Sequence, residues 1–257
     1  MSGFFKRWSP GGVNLVPDIS MFLPSDIIYN TQSGRAYHLA NGEVVRFDYR
    51  INVLTENESV TIGTGGDYTT LNAFLDKMTS KITEYSQSGI TVVATFLAGY
   101  VFTEQVLVRS NDFGFITLKS TDPIVTIDSA AMTQEFSAVD YGIVTYPAFG
   151  VCQAGSLPKI DCLFQFTTNA FESSKHGCLS IGAGSTADIL DGAGFINTPQ
   201  YGLIAMQGGN INATNTACTG ANDYDIAVKM GGVIAANGAT GTLSQNHKKI
   251  TTDGVIW

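Results

Sequence analysis

Three stretches in the second half of the chain carry one pattern: GCLSIGAGSTADI at 177–189, GLIAMQGGNINA at 202–213 and DIAVKMGGVIAANGA at 225–239. Each holds an alternating apolar run, a corner of small residues and a second short run. Gly177 and Gly202 stand 25 residues apart, and the pairs Gly208-Gly209 and Gly231-Gly232 stand 23 apart. A period of that size marks a β-solenoid, whose rungs bury their inward side chains only by stacking on one another. The pattern places Leu179, Ile181, Ile204, Met206, Val228 and Met230 in one inward stack. Ile189, Ile211 and Ile234 line the next strand, and Gly209 and Gly232 turn equivalent corners. Upstream, TVVATFLAG, FITLKS, IVTID, YGIVTY and IDCLFQF read as strands of earlier rungs. A leucine-rich repeat is the rival reading, but its leucine consensus and its rung Asn at fixed offset are missing.

Ahead of these rungs, residues 61–78 read TIGTGGDYTTLNAFLDKM, which raises the question of a phosphate cradle. A dinucleotide fingerprint counted from Gly63 needs a sixth-position glycine, and Tyr68 stands there; a Walker loop needs Gly-Lys-Ser/Thr, and the nearest lysine is Lys77. What remains is a sharp reversal at Gly65-Gly66 after a strand, with Asp67 or Thr69 capping a helix. Leu71, Phe74, Leu75, Met78, Ile82 and Tyr85 form one apolar face at spacings of three and four, so the spacing predicts a helix over 70–85. That helix would cover the first open end of the solenoid, where unpaired backbone otherwise invites aggregation.

Residues 1–58 differ in texture. Pro10, Pro17 and Pro24 interrupt short alternating runs, and Ala40-Asn41-Gly42 supplies a hairpin turn. They read as an extended arm and hairpin that dock on a partner, leaving 59–257 as the shaft. Two apolar groups lack an evident core: Phe4, Phe5 and Trp8 on the arm, and Val255, Ile256 and Trp257 in the last residues. Such groups mark interaction surfaces.

The composition excludes several function classes. A net charge of −8, with no cluster of Lys and Arg among aromatics, argues against nucleic acid. The most apolar run, TVVATFLAGYVF at 91–102, is too short to span a membrane, so no membrane insertion is expected. Lys6 and Arg7 precede no apolar stretch of signal-peptide length. Cys152, Cys162, Cys178 and Cys218 lack C-x-x-C spacing, and His38, His176 and His247 lack ligand spacing. Reduced thiols are the first reading, a disulfide or metal the second; no cofactor is expected.

Glycoside cleavage needs two carboxyls across a bond, and neighbouring rungs can supply them. The candidates are Asp161, Glu172, Asp188, Asp191, Asp223 and Asp225, for each of which a structural reading comes first: Asp188 and Asp191 flank a strand beside a Gly192 corner, and Asp223 and Asp225 surround Tyr224 in an inter-strand loop. A polyuronate lyase would draw its base from Lys159, Lys175, Lys229, Lys248 or Lys249, without a recognisable calcium cage. No G-x-S-x-G elbow supports a serine hydrolase. Asn210, Asn212, Asn215, Asn222 and Tyr224 have the amide and aromatic character that suits sugar surfaces, or else are corner residues satisfying their own backbone.

IGTGGDYTTLNAFLDKM (62–78), TVVATFLAGYVFTEQVLVRSNDFGFITLKS (91–120) and GGVIAANGATGTLSQNHKKITTDGVIW (231–257) together resemble the pectin-lyase-like right-handed β-helices of bacteriophage tail fibres and tail spikes. The resemblance covers about residues 59–257. It implies an all-β, right-handed parallel β-helix with an N-terminal capping helix, made in the bacterial host cytoplasm and mounted on the virion tail. It further implies a homotrimer whose arm docks on other tail or baseplate proteins and whose shaft meets a host-surface glycan or receptor. A polysaccharide-depolymerising spike and a purely structural tail adaptor are the alternatives. The first stretch also resembles the start of pectinesterases, but their catalytic segments do not follow: no Arg-Pro-Trp occurs, and no arginine occurs after Arg109.

Overall fold

A computed structural model of the chain describes residues 5–8, 16–22, 26–30, 35–40, 42–47, 53–54, 56–79, 82–83, 89–138, 143–168, 170–239, 248–251 and 254–256. The chain forms two compact units, Met1–Val53 and Leu54–Trp257. In the first, Phe5–Trp8, Ile27–Asn30, Arg35–Ala40 and Glu43–Phe47 make a four-stranded sheet in that order. Phe5–Trp8 pairs in parallel with Ile27–Asn30, and the other pairs are antiparallel. Ala40 faces Glu43 across the predicted two-residue turn, whose Gly42 adopts φ +82°, a region open to glycine at little cost. Phe22, Ile28 and Tyr37 are buried together. The expected extended arm is therefore corrected: the segment folds into a sheet with a small core, because Ile28 and Tyr37 on neighbouring strands can close on Phe22.

The second unit is all-β with parallel sheets and one α-helix among the described residues. A long sheet stacks Val106–Arg109, Ile143–Cys152, Lys175–Ile181, Tyr201–Met206, Tyr224–Lys229 and Lys248–Thr251 in parallel. A second sheet stacks Val101–Phe102, Val125–Ile127, Leu163–Phe166 and Gly194–Ile196. A third runs from Glu58–Ile62 through Val92–Phe96 and Ile116–Ser120 to Lys159–Ile160. Bridges Ser156↔Thr186 and Ile160↔Ile189 carry this third sheet on to Thr186–Asp188, Asn210–Asn212, Val233–Ala235 and Val255–Ile256. From Val92–Phe96 to Tyr201–Met206 the chain visits third, second and long sheets in turn, returning each time to the third one strand further on; beyond that the described strands alternate between third and long sheets, and the second is extended by the isolated bridge Ile196↔Thr219. No antiparallel sandwich is formed by these strands.

The spacing of glycines follows from that order. Met206 pairs with Lys229, and the amides of Gly209 and Gly232 donate back to those two carbonyls at 2.9 and 3.1 Å, so the two glycines turn equivalent corners as expected. A Cβ at Gly232 would lie 2.2 Å from the Ala205 carbonyl oxygen, which excludes any larger residue.

The interior is built on phenylalanines. Phe102, Phe149, Phe164 and Phe195 meet in stacked, tilted and edge-on geometries at centroid separations of 5.1 to 5.9 Å. Around them lie Cys178, Leu203, Ala205, Ile226 and Val228 from the long sheet and Ile189, Ile211 and Ile234 from the third. The expected inward stack needs correction here. Val228 points inward, but Leu179, Ile181, Ile204 and Met206 belong to a separate buried cluster on the opposite face of the long sheet, with Phe136, Cys152 and Tyr201. Met230 is a corner residue, exposed, with φ +47°. The physical reason is parity. Successive strand residues face opposite sides, and the Phe rings fill the interior, leaving space there for the smaller Cys178, Ser180 and Ala205.

The helix spans Leu71–Met78, shorter than the predicted 70–85, with Leu71, Phe74, Leu75 and Met78 buried in the main core. Two turns satisfy that face. Thr79 Oγ1 then donates back to the Leu75 carbonyl at 3.0 Å, and β-branched Ile82–Thr83 is a short strand. Tyr85 lies outside the described residues.

Candidate functional site

The glycine turn before the helix is closed to phosphate. The Glu104 carboxylate accepts from the Leu71 and Asn72 amides at 2.7 and 2.9 Å, and Thr70 Oγ1 accepts from the Ala73 amide at 3.2 Å. The helix N-terminus is thus filled by an acid 33 residues away in sequence, which the charge at that end favours. Neither Asp67 nor Thr69 caps it. Asp67 is held by Thr61, whose amide and hydroxyl both donate to Oδ2 at 2.8 Å. Tyr100 donates its hydroxyl to Glu104 at 2.7 Å, and burial together with that carboxylate pushes the phenol up from its ordinary value.

A ring ladder runs along the entrance to the long sheet. His176, Tyr201 and Tyr224 are register partners on three successive strands. The His176 and Tyr201 rings are 5.1 Å apart and those of Tyr201 and Tyr224 6.3 Å. The Lys229 ammonium sits 4.6 Å above the Tyr201 ring, a cation-π geometry. Burial and a hydrogen bond to Asp223 raise the Tyr201 phenol. His176 is fully buried with an unpartnered Nδ1; burial first, and Lys229 second, lower it to about 3, so it is neutral. Tyr224, at the end of the described ladder, is half-buried.

The residues expected to meet a glycan fall on two sheets. Asn210 and Asn212 are exposed on the third sheet, where Asn212 Oδ1 accepts from Thr214 at 3.2 Å. Asn215 turns the following corner with φ +56°, its amide donating to Asn237 and its carbonyl accepting from Gly192, as a corner residue satisfying backbone would. Asn222 and Tyr224 lie instead at the entrance to the long sheet, where the Asn222 amide donates to Thr198 at 3.1 Å. The fold gathers Asn222, Asp223, Tyr224, Tyr201 and Lys229 at that edge. Sequence reasoning missed Tyr201 as the partner of Tyr224, and His176 and Lys229 as partners of Tyr201, although the separations of 25 and 23 residues between the rings match the repeat.

Of the expected interaction residues, Phe5 and Trp8 lie in a strand whose backbone alone is described, Val255 is exposed and Ile256 half-buried, and Phe4 and Trp257 fall outside the described residues. Among the acids, Asp225 is buried and accepts from the Ala221 amide at 2.9 Å, and Glu172 pairs with Lys175. Asp188 faces Asn212 on the third sheet. Asp161 pairs with Lys119 at 3.3 Å and, with Asp122 and Asp191, lines a cleft of about 270 Å³. All four cysteines are free thiols, and burial pushes Cys218 up to about 12. Among the described residues no cluster of His, Cys, Asp and Glu has metal-binding geometry, and no helix is long and apolar enough to cross a membrane.

The chain matches no family model and no curated protein.

Proposed function

We propose that this chain is a non-catalytic bacteriophage tail-fibre protein that binds a host-surface glycan. In this reading the three parallel sheets are the faces of one right-handed β-helix, the Leu71–Met78 helix closes its first end, and three copies share one axis. The observation that carries the binding role is the rung at Tyr224. A half-buried tyrosine extends a stacked ladder, Asn222 and Asp223 directly precede it, and the Lys229 ammonium sits over the ring of its ladder neighbour Tyr201. Sugars are gripped by this combination, an aromatic face under their C–H groups and amide or charged groups at their hydroxyls. The sequence resemblance to phage fibres supports the virion setting and the homotrimer.

The test is a glycan array of bacterial surface polysaccharides probed with the wild-type chain and with Tyr224→Ala. Binding to a subset of polysaccharides, lost at least tenfold in the variant with the fold retained, is the expected result. No binding to any polysaccharide would leave the structural-adaptor reading in its place.

A second reading, polysaccharide cleavage, is favoured by one observation: Asp161 and Asp191 share a cleft. New reducing ends released from a bound polysaccharide, and abolished in Asp161→Asn or Asp191→Asn, would establish it over the first.

A further inference from the structure

A second cleft, of about 320 Å³, lies between the glycine turn and the 97–103 corner, with Thr64, Thr69, Thr70, Tyr100, Val101 and Thr103 among its lining residues. Its size falls at the lower end of the range in which proteins hold small organic ligands, roughly 300–1,000 Å³. No ionisable acid, lysine, arginine or histidine lines it. The neighbouring carboxylates are committed elsewhere: Asp67 to Thr61, Glu104 to the helix amides and Tyr100, Asp122 to the Gly99 amide at 2.6 Å. Those same bonds fix the walls. The Leu97 amide donates to Ile62 at 2.9 Å, the Gly63 amide to Tyr68 at 2.8 Å, and the Tyr100 ring stacks on buried Phe96 at 4.9 Å.

Within these fixed walls, three exposed hydroxyls are uncommitted. Thr64, Thr69 and Thr103 make no hydrogen bond among the described residues, whereas Thr70 is used as the helix cap. Beside them Val101 leaves an apolar side chain 46% exposed. Hydroxyls available on fixed backbone beside a small apolar wall, without charge, match the surface of a pyranose, which alternates hydroxyls with C–H patches. A charged sugar would find no counter-ion here, and its desolvated charge would cost binding energy.

We infer that this cleft is a binding site for a single neutral monosaccharide unit. It is separate from the Tyr224 rung and stands or falls independently of it. Saturation-transfer NMR with methyl α-mannoside, methyl β-galactoside and methyl α-rhamnoside tests it, with methyl galacturonide as the charged counterpart and a neutral bacterial polysaccharide as the polymer form. At least one neutral glycoside should receive transfer and the galacturonide none. Transfer from the polymer as well shows that the unit is bound within a chain; transfer from the glycosides alone shows that only the free sugar enters. The double variant Thr69→Val/Thr103→Val, nearly isosteric, should weaken the bound glycoside about tenfold, as expected for two lost hydrogen bonds. These measurements are made on the Tyr224→Ala chain, in which the ladder no longer contributes, so that failure here is distinguishable from failure of the ladder. No transfer to any neutral probe, equal transfer to the galacturonide, or unaltered affinity in a folded double variant overturns the inference.

Discussion

Glu104 shows how one side chain can settle a local question. Its two oxygens take the Leu71 and Asn72 amides and the Tyr100 hydroxyl, three donors that would otherwise lose a partner. Glu104→Ala should cost about 1–3 kcal/mol, read as a lower urea midpoint at unchanged slope. An unchanged midpoint would mean that solvent replaces the carboxylate without loss. His176 sets a pH dependence of definite sign. Its ordinary value is 6.5 and its folded value about 3, so the unfolded chain takes up a proton first as pH falls. Stability is complete above the unfolded value and declines as pH falls towards the folded one, by about 1.4 kcal/mol per unit. His176→Phe should therefore flatten the fall in Tm between about pH 6.5 and 5, above the range of most carboxylates. An equally steep fall in the variant would assign the slope to other groups.

At the scale of the strand, the two faces of the long sheet make opposite demands. Ala205 is fully buried against the interior, while its neighbour Ile204 lies in the outer cluster with Leu179 and Met206. Ala205→Leu adds volume to a packed interior and should destabilise by about 1–3 kcal/mol, whereas Ile204→Leu, conserving volume, should cost less than about 1.5 kcal/mol. Equilibrium denaturation of both variants decides it, and a larger cost at Ile204 would restore the original inward assignment. The phenylalanine ladder belongs to the same scale. Phe164 touches Phe96, Phe102, Phe149 and Phe195, so Phe164→Ala should cost about 3–5 kcal/mol. A loss below 1 kcal/mol would show that the rings fill space without organising it.

For the whole molecule the proposed assembly makes one prediction. A homotrimer should sediment at three chain masses at micromolar concentration and be insensitive to Tyr224→Ala, whose ring the proposal assigns to glycan binding and not to the contact between copies. A monomer under those conditions would remove the trimer from the proposal while leaving the parallel sheets and both candidate sites in place. The same hydrodynamic measurement with Val255→Asp probes the exposed apolar group near the last strand. Dissociation there would place the interface at that end, and an intact trimer would place it elsewhere.

Features set by neighbours in sequence were legible without the fold. The glycine corners follow from residues that must adopt positive φ or lie within van der Waals distance of backbone, the short apolar runs follow from strand alternation, and the missing phosphate motif follows from the absence of a glycine at position 68. The face of each strand was not legible. YGLIAM is apolar at both parities, and in KHGCLSI the more apolar parity, Leu179 and Ile181, faces away from the Phe core; both faces are buried, so only the Phe rings arriving from other sheets decide which side is the interior. The Glu104 cap and the His176–Tyr201–Tyr224 ladder join residues more than twenty positions apart. No local rule links such residues; they meet because parallel register fixes which position stands above which, and that register is a property of the packed sheets.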